Sequence, residues 1–212
     1  MEPTTTGRFR LLDRRPDGTY LLVDLDEAIA AVEDDDPEAD LQPIAVGPPE
    51  DADLVEAARE LQPGYTINAS VAWDGDEARL AEWSTTGRTR IQFADGVSGI
   101  FEAAQETWHD ARMAGDAMNS RPTYSTDNEP NGVVYTFAKQ RPPRDLFEEF
   151  RTGATPIEPL IQRVELERED DHDRAVFVMN PVDEEFVLIY IVFRKDGMLA
   201  ETVRDTYGLP ST

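Results

Sequence analysis

The chain of 212 residues carries 44 acidic and 20 basic residues, which give a formal net charge of −24 at pH 7. Hydrophobic residues make up 40% of it, enough to build a core, so the composition excludes a chain that is disordered throughout. Cysteine is absent, which excludes a disulfide framework, a thiol nucleophile and a cysteine metal site.

The basic residues are eighteen arginines and two lysines, Lys139 and Lys195. So acidic a surface repels itself in dilute salt, whereas molar salt shortens the Debye length to about 3 Å and screens the repulsion. The composition therefore predicts a protein of the cytoplasm of an extreme halophile. The longest apolar run, FVLIYIVF at residues 186–193, is shorter than the roughly 18 residues that span a bilayer, so we expect no membrane partner. The N-terminal MEPTTTGRFR also lacks the apolar core of a secretion signal.

The first half of the chain predicts a hairpin, two helices and a β-meander. Residues 8–25 are typical of two strands joined by a turn at 16–18, and apolar residues at helical spacing follow up to residue 32. The charge run EDDDPEAD predicts a solvated loop, and LQPIAV predicts an edge strand because Pro43 lacks an N–H donor. A helix from about Ala52 to Leu61, capped by Asp51 or Asp53, precedes three alternating strands that we expect to form the meander.

The second half predicts a long helix from residue 97 to residue 118, because apolar residues recur there at steps of three and four. A strand at 133–138 and a short helix follow. Thr155 and Glu158 have the spacing of a capping box and predict the start of the next helix at residue 156. Two apolar strands come next, the second buried on both faces, and then a last helix capped by Asp196 and ended at Gly208.

Strands and helices alternate without a regular βαβ rhythm, so we predict an α+β fold. We expect mixed or antiparallel sheets, a long central helix and several shorter helices. Residues 1–212 are expected to form a single cooperative unit. If the unit divides, its lobes are 1–95, rich in β structure, and 96–212, which is α+β.

The two histidines lack the neighbours that catalysis or metal binding needs. His109 lies beside the polar face of the predicted long helix and has no recognisable partner for acid–base chemistry. His172 lies among Asp170, Asp171 and Asp173, but a single loop histidine lacks a second ligand at a fixed spacing. No glycine-rich phosphate loop and no nucleophile motif occurs. We therefore predict no metal site and no cofactor, and we assign no catalytic residue.

A difference in charge singles out the middle of the chain. Residues 88–151 hold eight basic and ten acidic residues, a net charge of −2, whereas the other residues hold twelve basic and thirty-four acidic ones, a net charge of −22. A partner that avoids acidic surface would dock in this segment; equally, a segment that is simply more buried carries fewer acids. Within it, MNSRPTYSTDNEPNG at 118–132 predicts a loop near the upper end of loop lengths.

Two hypotheses follow for this region. The first is a non-catalytic binding or interaction module that meets a protein partner or RNA through residues 118–144. The alternative is an enzyme acting on an anionic small molecule, with a polar pocket around residues 119–128. The lack of an assigned nucleophile, base or metal favours binding. The oligomeric state stays open. The predicted binding residues are Asn119, Arg121, Tyr124, Asn128, Lys139, Arg141 and Arg144.

Three stretches, FEAAQETWHDARMAGDAMNSR, NEPNGVVYTF and the closing DGMLAETVRDTYG, resemble a family of halophilic archaeal proteins that is a domain of unknown function. The resemblance covers most of the chain and implies no activity. A further stretch, LQPGYTINASVAW, is similar to the opening of small β-barrel RNA-binding modules. It adds weight to RNA as a partner.

Overall fold

The structure, a computed structural model, describes residues 3–34, 41–168 and 170–211 and divides the chain into two units. The first unit consists of Met1–Thr89 and Arg151–Asp171, and the second of Arg90–Phe150 and His172–Thr212. The chain thus leaves the first unit after residue 89 and returns to it for one segment. We predicted that the whole chain folds and unfolds cooperatively, and for these two units that stays a prediction.

The described residues form ten strands and six helices. The strands are β1 Thr4–Arg14, β2 Tyr20–Asp24, β3 Ile44–Gly47, β4 Thr66–Asp74, β5 Glu77–Gly87, β6 Arg90–Val97, β7 Met118–Tyr124, β8 Pro130–Ala138, β9 Ala175–Pro181 and β10 Phe186–Val192. The helices are α1 Leu25–Glu33, α2 Ala52–Ala58, α3 Glu102–Ala114, α4 Leu146–Thr152, α5 Glu158–Arg168 and α6 Met198–Tyr207. The prediction of an α+β fold is confirmed.

Strands β1 to β5 of the first unit close into a barrel in the order β1-β2-β3-β5-β4, with β4 pairing back onto β1. Neighbouring strands are antiparallel except β3 and β5, which pair in parallel. Alternate side chains of each strand fill the interior, among them Phe9, Tyr20, Val46, Ile67 and Leu80. This Greek-key order, with α2 between β3 and β4, is that of the OB-fold class of small barrels.

A buried ionic network holds α5 in the first unit. Arg10 of β1 is 1% exposed, and its Nε lies 2.9 Å from both carboxylate oxygens of Glu158. Its Nη2 lies 2.9 Å from Oε1 of Glu165, and Gln162 donates a further hydrogen bond to Glu158 at 2.8 Å. The guanidinium therefore has two carboxylate partners on one helix, which fixes the position of α5 along β1.

The second unit is a mixed sheet of order β6-β9-β10-β8-β7, in which only β6 and β9 pair in parallel. Helices α3 and α6 cover one face through Ala104, Trp108 and Val203. On the other face, ring contacts join α4 to strands β6 and β8. Every residue of β10 is buried, which confirms the prediction that this strand has no solvent-facing side.

The predicted long central helix from residue 97 to residue 118 is not confirmed. The longest helix in the described part of the chain, α3, has 13 residues and ends at Gly115, which adopts the left-handed conformation with φ 81°. Gly96 and Gly99, each with φ 70°, keep the chain out of the helical region before it. The apolar residues that predicted one long helix therefore belong to three elements: the end of β6, helix α3 and the start of β7.

Two strand predictions are also wrong. The third strand of the predicted meander, β6, pairs with β9 in the second unit rather than with β5. Strand β3 is no edge strand, because it pairs with β2 on one side and β5 on the other, and Pro43 lies just before it. Alternation of apolar residues marks a strand but does not say which strand is its neighbour.

One predicted helix cap agrees with the structure and two do not. Asp51 caps α2 as predicted, accepting hydrogen bonds from the N–H groups of Asp53 and Leu54. Thr155 does not open a helix, because α5 begins at Glu158, whose carboxylate binds Arg10. The last helix starts after Gly197 rather than at Asp196, although it ends at Gly208 as predicted. Most of the predicted solvated loop, residues 35–40, lies outside the described residues.

Candidate binding surfaces

The stretch 118–132 is a hairpin rather than the predicted loop. Its first half is β7, the edge strand of the second sheet, and a turn at 125–129 leads into β8. The turn contains Asn128 in the left-handed conformation with φ 62°, which asparagine tolerates better than most residues. The sequence lacked a hydrophobic alternation here because one side of β7 carries polar side chains and the other is exposed.

One side of β7 packs against α3 through polar contacts. Asn119 donates a hydrogen bond to the carbonyl of Thr107 at 3.3 Å. Arg121 forms ion pairs with Glu106 and Asp110, the latter at 2.6 Å. Thr123 and Tyr190 share a hydroxyl–hydroxyl hydrogen bond of 2.9 Å, and burial raises the pKa of Tyr190. These contacts hold the hairpin in place and engage the charge of Arg121 within the protein.

The other side of β7 carries four exposed, uncharged side chains, which we call the β7 strip: Met118, Ser120, Pro122 and Tyr124. Their neighbours on β8 in the ladder are Phe137, Tyr135, Val133 and Pro130. Met118 is 43% and Tyr124 53% exposed, high values for side chains of this size. The strip is therefore a small apolar surface at the edge of a sheet, free of the acids that dominate the rest of the chain.

The other predicted binding cations are mostly engaged. Lys139 donates to the backbone carbonyl of Pro181, and desolvation lowers its pKa. Arg144 binds both carboxylate oxygens of Glu149, at 2.7 and 2.9 Å. Arg141 is exposed, and its side chain makes no ion pair or hydrogen bond with any described residue. Of the seven predicted residues, only Tyr124, Asn128 and Arg141 have side chains available to a partner.

Two open clefts flank the turn between β1 and β2 of the barrel. A cleft of about 560 Å³ lies between this turn, the end of β3 and the turn between β4 and β5, and it is bordered by Arg15, Pro48 and Arg79. A second cleft, of about 390 Å³, is bordered by Asp13, Arg15 and Asp17 among others. Arg15 therefore lines both clefts. Its guanidinium forms no ion pair or side-chain hydrogen bond with a described residue, although its charge helps to lower the pKa of Asp17. Arg79, in contrast, pairs with Glu50 at 2.7 Å.

Sequence reasoning did not single out Arg15, although its position directly before the Pro16-Asp17-Gly18 turn marks it as a residue at the rim of a hairpin. It also did not foresee the burial of Arg10. Neither histidine joins a cluster: within the described ranges, no group of three or more His, Asp and Glu side chains could hold a metal ion.

These features describe an α+β protein that combines an OB-type barrel with a mixed sheet and offers two kinds of surface, an apolar sheet edge and a barrel rim. The chain belongs to the family of unknown function DUF6663, whose model matches residues 1–212. A family of unknown function was expected from the sequence. Comparison with curated proteins and with solved structures found no match. In the part of the chain that the structure describes, no helix is both long and apolar enough to cross a membrane.

Proposed function

We propose that the protein is a non-catalytic binding module and that the β7 strip contacts a protein partner. The observation that carries this proposal is that the four side chains of the β7 strip are exposed and uncharged in a chain of net charge −24. A surface selected only for hydration in high salt would carry acids there. The halophilic, cytoplasmic setting inferred from the composition belongs to the same proposal.

The strip favours a protein over RNA as its partner. RNA binding draws on cations that neutralise phosphates. On the hairpin and the segment after it, Arg121 and Arg144 are bound to carboxylates and Lys139 to a carbonyl. Tyr and Met, in contrast, are enriched in the buried centres of protein interfaces. A partner that covers Met118 and Tyr124 removes apolar surface from water at each contact.

The enzyme alternative receives less support from the geometry around residues 119–128. Arg121, the side chain that would hold an anionic substrate, has two carboxylate partners, and Asn119 is bonded to a helix carbonyl. Both would have to break these contacts to bind a substrate. No nucleophile paired with a base is apparent among the side chains described there.

RNA at the barrel rim is a second candidate, and a specific observation favours it. In OB-type barrels the loops between strands 1 and 2 and between strands 4 and 5 bind oligonucleotides. Here the larger cleft lies between these two turns, and its border includes Arg15, which forms no ion pair with a described residue. Asp76 and Glu77 also line this cleft and weaken its attraction for phosphate.

Affinity capture in molar salt tests both candidates. The tagged protein is used to recover partners from an extract of a halophilic archaeon, and the eluate is analysed for proteins and for RNA. A Met118→Glu/Tyr124→Glu variant should lose a protein partner, because each change places a charge in the apolar interface. A Val182→Glu/Met198→Glu variant alters two other exposed apolar residues, 63% and 83% exposed, and should keep the partner.

RNA bound at the rim should instead be lost from an Arg15→Glu variant, whose β7 strip is intact. A protein partner that the strip variant retains as well as the wild type does would contradict the proposed contact surface. An eluate with neither protein nor RNA enrichment would contradict the binding function itself.

A further inference from the structure

Charges of opposite sign lie beyond the two ends of the β7 strip. The turn that follows Tyr124 carries Asp127 and Glu129, and the loop that follows β8 carries Arg141. All three side chains are exposed, and none of their charged groups makes an ion pair or a hydrogen bond with a residue that the structure describes. The surface around the strip is therefore negative at one end and positive at the other.

The strip and the loop that carries Arg141 belong to the same side of the second sheet. Met118 is opposite Phe137 in the ladder, and the ring of Phe137 lies 5.3 Å from that of Phe150 in α4. Residues 139–145 connect β8 to α4, so this loop starts at the Met118 end of the strip and leads to the side that the strip occupies. The turn before β7 comes instead from α3, which packs on the opposite side.

The side chains of the strip are complementary to a second copy of the strip. Met118 and Tyr124 are large and lie at its ends, whereas Ser120 and Pro122 are small and lie between them. If two strips run antiparallel, Met118 of one meets Tyr124 of the other, a favourable contact of a thioether with an aromatic ring. Ser120 then meets Pro122, and no two charges of the same sign come together within the strips.

We infer that the partner of the β7 strip is a second copy of this chain, bound with two-fold symmetry so that the two strips run antiparallel. The inference rests on the proposed function and names its partner. In this arrangement Arg141 of each copy lies towards Asp127 and Glu129 of the other copy. Symmetry forms this contact twice.

The charges select this arrangement over the other two-fold arrangement. Two chains of net charge −24 repel each other wherever their acids meet. A two-fold axis along the strip would make the strips parallel and place the acids of the turn at 125–129 against the same acids of the second copy. An axis across the strip brings these acids towards Arg141 instead. Opposite charges at the two ends therefore favour the antiparallel dimer.

The size of the strip sets the strength of the dimer. Its four residues span about 20 Å, because alternate residues of a strand are about 6.6 Å apart. An interface centred on so few side chains is smaller than those of permanent dimers. We therefore expect a weak dimer whose population rises with protein concentration.

Charge reversal tests the contact between the two ends. Sedimentation velocity of the full chain in molar salt, over a range of concentrations, gives the dissociation constant of the dimer. Arg141→Glu should raise this constant about tenfold, because both symmetric contacts then bring like charges together. Asp127→Arg/Glu129→Arg should raise it to a similar extent. Arg163→Glu makes the same change of net charge at an exposed arginine of α5 and should leave the constant unchanged.

The two interface variants should bind each other when mixed, because the reversed charges are then opposite again at one contact and the original charges meet at the other. With one variant fluorescently labelled, the mixed dimer should have a dissociation constant within about threefold of the wild-type value. A mixture that associates no better than either variant alone would overturn the inference, as would a wild type that stays monomeric up to about 1 mM. A different protein captured through the strip would also overturn it but would leave the proposed function intact.

Discussion

Arg10 shows how a single residue can fix the arrangement of a unit. Its guanidinium is buried on β1 and bound to Glu158 and Glu165, residues separated from it by more than a hundred positions in sequence. A buried ion pair contributes little over an apolar pair of equal size, but removal of one partner leaves an uncompensated charge inside the protein. The network therefore makes the position of α5 dependent on a few side chains.

We predict that Glu158→Gln destabilises the protein by about 3 kcal/mol, because Arg10 loses its most buried carboxylate. Urea unfolding at constant molar salt measures the change. Glu56→Gln is the matched control, since it removes the exposed ion pair with Arg59 and should change stability by less than about 1 kcal/mol. Equal effects of the two substitutions would show that the buried network does not hold α5.

Tyr190 gives a prediction for alkaline pH. Burial raises its pKa in the folded protein above the ordinary value of 10.0, so the unfolded chain loses this proton first. Above pH 10 the unfolded state binds fewer protons, and stability falls as pH rises. The free energy of unfolding of the wild type should therefore decline more steeply above pH 10 than that of Tyr190→Phe, measured in urea at several pH values. Parallel curves for the two proteins would contradict this.

At the scale of the element, β7 combines an exposed strip with a protected backbone edge. Ala138 donates its N–H to Ala117, so in the alternating ladder the backbone of Ser120 and Pro122 faces away from β8. Pro122 has no N–H, which interrupts the row of donors that another strand would need. Proline at an edge is a common means of preventing strands from pairing between molecules. The side chains of the β7 strip are thus exposed to a partner, whereas its backbone disfavours the pairing of a further strand with β7.

We predict that Pro122→Val increases self-association, because it restores a donor in the middle of the edge. Sedimentation velocity over a range of protein concentrations measures the effect. Ser120→Val adds an apolar side chain to the same strip without adding a backbone donor, and it should stay closer to the wild type. If Ser120→Val associates as strongly as Pro122→Val, apolar surface rather than backbone pairing drives the association.

Much of this architecture could be read from local sequence. The continuous apolar run of residues 186–192, the turn at 16–18 and the Asp51 cap each depend on neighbours in the chain, and the structure confirms all three. The alternation of apolar residues could not give the closure of the barrel, because this depends on pairing between β1 and β4, far apart in sequence, and only the likeness of LQPGYTINASVAW to small β-barrel modules pointed to a barrel. For the same reason β6 was assigned to the wrong sheet.

The candidate binding residues show the same limit. The low charge of residues 88–151 drew attention to the hairpin, and Tyr124 is indeed exposed. Sequence could not show that Arg121 and Arg144 are bound to carboxylates, because it does not tell which acidic side chains the fold brings within reach of an arginine. Nor could it show that Arg15 lines two clefts.

At the scale of the whole molecule, two units with separate cores are joined by several passages of the chain. We predict that they nevertheless unfold in one transition. Trp108 lies in the second unit, and Trp73 and Trp83 lie in the first, so fluorescence of Trp108→Phe reports the first unit alone. Its urea midpoint in molar salt should match that from the circular dichroism of both units. Two separate midpoints would show that the units unfold independently.

The central claim is that a protein partner covers the β7 strip, and position-specific photo-crosslinking tests it most directly. A photoreactive amino acid is placed at Ser120 within the strip or, as a control, at Ser84, an exposed residue of β5. The proposed function predicts a discrete adduct with one protein from position 120 and none from position 84, both in molar salt. The same adducts from both positions, or no adduct from position 120, would contradict the assignment of this surface.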